Sequence, residues 1–284
     1  MIGAVRREQG FSSGVEHMTW TFEHNQNGVG DPVFNGSEKL GFFSIAEDGS
    51  LKIAEVFRLW ENLAPNWWQT VTGMAREDYW AKVKYRAVAP YVRVSTLVSG
   101  CRPGDIVETE LATTAGRRPR KDGAFEYGAV DRFRARRRSD GALLSEVEQA
   151  WTWIDANGAA PRVASAPPPG LRCASHDLAA VPELPPAEQA KPAAAFRWTP
   201  RETDINRHIS VQSYFERGDN ALADADHDLQ VPKTWEAWFR RECLAGEEMK
   251  VLLDAPSEAC PVVLLVGKAD DRRRTVLRFS HPKT

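Results

Sequence analysis

Arg197 to Arg217 reads RWTPRETDINRHISVQSYFER, and the reading of the whole chain turns on it. Asp204, Asn206 and His208 stand at alternate positions, and an extended run of period two sends such side chains the same way. Past Ser210 the pattern changes. Val211, Tyr214, Phe215 and Leu222 recur at three, four and seven, the spacing of a buried helix face. Ser210 stands where an N-cap is wanted. Three polar, reactive groups are therefore expected to converge just before a helix N-terminus, where backbone N–H groups are free to polarise a carbonyl oxygen. Alone, D-x-N-x-H equally suits an ordinary polar turn with a helix cap.

A second stretch gives the first its weight. Trp238-Phe239-Arg240-Arg241-Glu242-Cys243 follows, and His208 and Glu242 lie 34 positions apart. D-x-N-x-H-I with R-R-E-C at that spacing resembles the acyl-acyl-carrier-protein thioesterases of plants and bacteria. The resemblance implies catalytic roles for Asp204, Asn206, His208 and Glu242, with Cys243 as an alternative nucleophile. It also implies an α+β fold, the double hotdog, in which two repeats each wrap an antiparallel sheet around a long helix. The two motifs carry the resemblance, and the rest of the chain matches only in layout. The family usually reads H-V-N-N after the histidine, where this chain has Ile209-Ser210-Val211.

Composition agrees with a soluble enzyme of this size. The chain has 284 residues, 42% of them hydrophobic, with ten Trp, enough for one large core or two small ones. A net charge of −2 gives no global pull toward nucleic acid or an anionic membrane. Cys101, Cys173, Cys243 and Cys260 form no C-x-x-C pair, so zinc and redox motifs are not expected. They read as reduced thiols of a cytoplasmic protein. The histidines show no metal-ligand spacing, and no apolar run of about 18 residues predicts a membrane span. No metal and no cofactor are expected.

Taken in order, residues 1–17 read as a flexible extension and Met18–Phe22 as a short strand. Asn25–Gly36 reads as loop. A helix opens at Gly49-Ser50, capped by Asp48 or Ser50. Its buried face carries Ile53, Val56, Phe57, Trp60, Leu63 and Trp67. Tyr79–Ala87, Tyr91–Val98 and Asp105–Thr113 alternate as strands. Ala124–Arg137 and Leu143–Ile154 read as a hairpin around Ser139-Asp140-Gly141. Residues 18–155 form the first repeat. Residues 156–195 hold eight of the eighteen prolines and read as a surface linker, touching the core at Leu171 or Leu184.

Residues 196–284 form the second repeat. It has a strand start at Phe196–Thr199, a helix from Ser210 to about Asp224, and strands at Trp235–Cys243, Met249–Leu253, Cys260–Gly267 and Thr275–Phe279. Asp31 and Asn35 are expected where Asp204 and Asn206 stand in the second repeat, and no histidine accompanies them.

A thioester needs a polarised carbonyl and an activated attacking group. The helix N-terminus at Ser210 offers the donors. Asp204 and Glu242 share the roles of base, nucleophile and orienter, and His208 can position water or supply a proton. The resemblance places an acyl tail in the first repeat, where Phe57, Trp60, Trp67 and Trp68 are candidate walls. Arg132, Arg134 and Arg136 alternate along one strand, as a solvated face or as a docking surface for an acidic acyl carrier protein. The chain reads as a thioester hydrolase releasing a fatty or polyketide-type acid from an acyl carrier protein. An acyl-CoA thioesterase and a non-hydrolytic acyl-thioester binding protein are the alternatives. A homodimer is a further expectation.

Overall fold

In the computed structural model, residues 21–23, 33–120, 123–158, 160–171, 176–204, 207–255 and 260–281 are described. Thirteen strands form one sheet around two long helices. The first repeat runs β1 (Thr21–Glu23), β2 (Val33–Lys39), α1 (Ile53–Thr72), α2 (Arg76–Val83), β3 (Tyr85–Thr96), β4 (Ile106–Pro119), β5 (Phe125–Arg137) and β6 (Leu143–Asp155). Two short connecting strands follow, β7 (Arg162–Val163) and β8 (His176–Asp177). The second repeat runs β9 (Lys191–Arg197), α3 (Val211–Ala223), β10 (Lys233–Phe239), β11 (Glu248–Asp254), β12 (Val262–Gly267) and β13 (Arg273–Ser280).

The sheet order is β1-β2-β4-β5-β6-β3-β10-β13-β12-β11-β9. Read outward from the centre, the two halves repeat one another: β3, β6, β5, β4, β2 on one side and β10, β13, β12, β11, β9 on the other. They join where β3 pairs antiparallel with β10, from Thr96–Lys233 to Tyr91–Trp238. Side chains reinforce this seam. Tyr91 Oη donates to Glu236 Oε1 at 2.7 Å, and Ser95 and Thr234 share a hydroxyl bond at 2.8 Å. The helices meet at a stacked pair, Phe57 and Phe215, with centroids 5.8 Å apart. This is the double hotdog expected from the motifs.

The predicted face of α1 is the buried one: Ile53, Val56, Phe57, Trp60, Leu63 and Trp67 all lie in the main core. Its cap differs. The N-cap is Lys52, without a side-chain bond. Asp48 instead accepts the Ser50 N–H and hydroxyl, at 2.9 and 2.6 Å, and closes the turn before the helix.

Four other segments depart from the expected layout. Val33–Lys39 is a strand rather than the end of a loop, and its Gly36 is no obstacle to pairing with Thr109. Arg76–Val83 is helix, not strand. The apparent alternation there hides an i,i+4 pair, Tyr79 and Val83, and Glu77 and Asp78 suit a helical first turn. The second repeat starts earlier than Phe196, because Lys191–Arg197 pairs with β11 as the last strand of the sheet. An edge tolerates Pro192 there. The connecting segment packs on the outer face of the sheet through Val181, Ala187 and Ala190, and Trp238 Nε1 donates to Pro182 O at 2.8 Å. Leu171 does pack on the main core, whereas Leu184 is exposed. The Cys173 thiol, Asp31 and the N-terminal 20 residues lie outside the described residues.

Candidate active site

The D-x-N-x-H segment is a closed turn and not an extended run. Thr203 and Ile209 form a β-bridge, and Asp204 N donates to His208 O at 2.8 Å. Arg207 N returns to Asp204 O at 3.0 Å, with Arg207 at φ 65°. The Asp204 carboxylate accepts the His208 N–H at 3.1 Å. Asp204 therefore braces the turn that presents His208. Asn206 lies outside the described residues.

Glu242 reaches His208 from the other side. β10 ends at Phe239, so Glu242 and Cys243 sit in the following loop, beyond the strand whose alternation would fix their directions. The loop is held by an Ile209 N to Cys243 O bond of 3.2 Å and by a His208–Leu244 bridge. His208 Nε2 lies 3.5 Å from Glu242 Oε2, with side-chain exposures of 38% and 61%, so water reaches both. Cys243 points inward and is fully buried. Burial pushes its thiol up to about 11, in spite of hydrogen bonding to Tyr214. A thiol in that state is a poor nucleophile near neutral pH.

Ser210 is the N-cap of α3 by backbone conformation, but its hydroxyl does not cap. It donates to Glu202 O at 3.0 Å and pairs with the Ser213 hydroxyl at 3.0 Å. This ties the helix start to the preceding turn. Glu202 in turn is held below the usual carboxylate range by the Thr199 backbone and hydroxyl and by Arg217, against its own burial. α3 thus starts three residues after His208, and the first N–H groups of a helix lack partners within it.

The first helix also takes part, which the sequence reading missed. Burial and the nearby charge of Asp204 push the Glu61 carboxyl upward, against the pull of Arg76. Glu61 on α1 therefore lies within electrostatic reach of the turn of the other repeat. No spacing rule in the sequence links the two.

Arg132, Arg134 and Arg136 do line the outer face of β5, as their alternation predicts. They are engaged by neighbours: Arg132 with Glu148 at 3.5 Å, Arg134 with Glu146 at 3.1 Å, and Arg136 with the Gly141 carbonyl at 3.3 Å. Glu110 and Glu108 stand opposite Arg134 and Arg136 in register on β4. The face is a ladder of both signs.

Among the described residues, no group of three or more His, Cys, Asp and Glu is placed to hold a metal ion. No helix among them is long and apolar enough to cross a membrane.

No family model and no curated protein sequence matches the chain. Solved structures do. An acyl-ACP thioesterase from Bacteroides thetaiotaomicron superposes with a TM-score of 0.64 at 14% identity, over 91% of this chain and 99% of that one. The 12:0-ACP thioesterase from Umbellularia californica gives 0.63 at 15% identity, over 87% and 96%. A MaoC-like dehydratase from Phytophthora capsici gives 0.52 at 11% identity, over 90% and 97%. Both thioesterases and a dehydratase carry this architecture, so its chemistry has to be read from the site. Along nearly its whole described length, the chain has the double-hotdog fold of the acyl-ACP thioesterases.

Proposed function

We propose that this protein hydrolyses acyl thioesters, releasing a fatty or polyketide-type acid from the phosphopantetheine arm of an acyl carrier protein. The observation that carries the reading is the His208–Glu242 pair, 3.5 Å apart and open to water beside the N-terminus of α3. The thioester carbonyl lies over the helix N-terminus, where N–H dipoles stabilise the developing oxyanion. Glu242 takes a proton from water and the hydroxide oxygen attacks the carbonyl carbon. As the tetrahedral intermediate collapses, the C–S bond breaks and the proton taken up by Glu242 passes through His208 to the departing thiolate. Asp204 positions His208 through the turn, and Asn206 orients the attacking water. Cys243 stays a buried thiol and takes no part.

The carrier docks away from Arg132 and Arg134, whose charges are already met by Glu148 and Glu146. Two other readings share the site. An acyl-CoA thioesterase differs only in the carrier, and a binding protein would hold the thioester uncleaved. A hydrolysis screen over carrier-bound and coenzyme-A-bound thioesters separates them. Turnover of the carrier-bound substrate with the larger kcat/KM is expected. Faster turnover of the coenzyme A esters would replace the carrier, and binding without turnover would remove the hydrolase.

A further inference from the structure

Beneath α1 the sheet buries two polar side chains that the chemistry above does not use. Asp131 on β5 and Gln149 on β6 are a direct cross-strand pair, 5% and 1% exposed. Asp131 accepts Thr113 Oγ1 at 2.7 Å and Trp151 Nε1 at 2.8 Å. Gln149 has no hydrogen-bond partner for either its Oε1 or its Nε2. Both share the inward parity of Phe133 and Val147, the neighbouring pair in the same register.

The fold does not require this pair. In the second repeat Val263 pairs with Leu277 as Phe133 does with Val147. One pair further on, Pro261 and Phe279 stand where Asp131 and Gln149 stand, and Phe279 is fully buried. One repeat thus closes its interior with an apolar ring where the other keeps an unpaired amide. Burying an amide without partners costs free energy that a ligand can return by supplying them.

The pair is tied to the buried face of α1, where Trp60 stacks on Trp151 at 6.1 Å. Trp151 is the residue that bonds Asp131. An acyl tail entering the first repeat along the buried face of α1 would meet Trp60, Trp151 and then the buried pair.

Resting on the thioester reading, we infer that the preferred acyl group carries a hydroxyl or keto oxygen on its tail, received by Gln149 and Asp131 under α1. A keto oxygen can accept from the Gln149 Nε2, and a hydroxyl can in addition donate to its Oε1 or to the Asp131 carboxylate. A plain hydrocarbon tail leaves Gln149 unpaired, and a site built for a hydrogen bond discriminates strongly against the analogue that lacks it.

The test compares carrier-bound acyl thioesters of equal length, unsubstituted and with hydroxyl or keto groups at successive tail carbons. At least one oxygenated substrate is expected to exceed the unsubstituted one by about tenfold or more in kcat/KM. Gln149→Leu should erase that ratio. Gln149→Met, nearly isosteric, serves if Leu fails to fold. A second arm needs no hydrolysis: binding of the free acids followed by quenching of the tryptophan fluorescence at Trp60 and Trp151. If no thioester is cleaved but oxygenated acids bind about tenfold tighter and the Gln149 variant loses this, the hydrolase falls and the tail inference stands. Equal handling of plain and oxygenated chains in both arms, or an unchanged ratio in the Gln149 variant, overturns it.

Discussion

The turns before α1 and before α3 have the same backbone and different chemistry. Ile45 and Leu51 bridge as Thr203 and Ile209 do. Ala46 N donates to Ser50 O at 2.8 Å, as Asp204 N does to His208 O. Gly49, at φ 77°, stands where Arg207 takes φ 65°. The loop that follows the seam strand repeats too: Gly104 N donates to Leu40 O and Gly246 N to Trp198 O. A buried cysteine occupies each loop, Cys101 and Cys243, preceded by Gly100 and by Glu242. So Ala46, Ser50 and Gly100 fill the places of Asp204, His208 and Glu242. The frame needs none of these three groups, since the first repeat builds it without them. This also corrects the expected correspondence: Asn35 lies in β2, and the residue matching Asp204 is Ala46.

The repeats differ in the opposite sense in their interiors. Asp131 and Gln149 are buried in the first, and Pro261 and Phe279 stand in their places in the second. One repeat carries reactive groups at its turn, and the other carries polar groups in its core. That division requires the halves to act together, and it can be attacked at several levels.

The largest effect is expected from separating them. Residues 191–284 alone leave the β10 seam edge unpaired, along with the apolar face that α3 turns toward α1. The fragment should be insoluble or self-associated, and a cooperatively folding monomer by sedimentation and chemical denaturation would contradict the shared architecture. Next comes Glu242→Ala, which should lower kcat by about a hundredfold or more in a folded protein, the scale of a lost acid–base group. Placing a glutamate in the first repeat at Gly100 should restore nothing, because Ser50 and not a histidine stands at the matching position of that turn.

Asp131 gives a pH-dependent effect in the first repeat only. Burial raises its carboxyl from 3.8 to about 6, against the bonds from Thr113 and Trp151. The folded state therefore keeps a proton that the unfolded chain releases between those two values. Stability contributed by the protonated form falls as pH rises through that window. Asp131→Asn should gain up to about 3 kcal/mol at pH 8 and little at pH 4, by urea unfolding at both. An equal change at both pH values would remove the buried ionisation. The smallest effect belongs to Cys243→Ala: roughly 1 kcal/mol of stability, kcat within about twofold, and no inhibition by thiol alkylation at neutral pH.

Much of this was legible in the sequence where periodicity was long. The face of α1 and the β5–β6 hairpin follow directly from spacing, and of the residues the two motifs named, His208 and Glu242 lie 3.5 Å apart. The reading failed where a short pattern had two meanings. Tyr79 to Val83 alternates like a strand but turns once as a helix. The alternation at Asp204 to His208 hides a closed turn, since Arg207 takes a left-handed conformation that spacing alone does not announce. Asp131 carried an unused signal: it has the opposite parity to Arg132, Arg134 and Arg136, so a solvated arginine face implies a buried acid. Glu61 carried none, because its proximity to Asp204 exists only once the two repeats close on each other.

The central claim is that the turn before α3 performs the chemistry and the turn before α1 only supports the fold. The direct measurement is steady-state hydrolysis of an acyl-carrier thioester by His208→Ala and by Ser50→Ala, each checked for folding by circular dichroism. The account predicts a loss in kcat of about a hundredfold or more for His208→Ala and a change within about twofold for Ser50→Ala. Comparable losses from both, or full activity in His208→Ala, would contradict it.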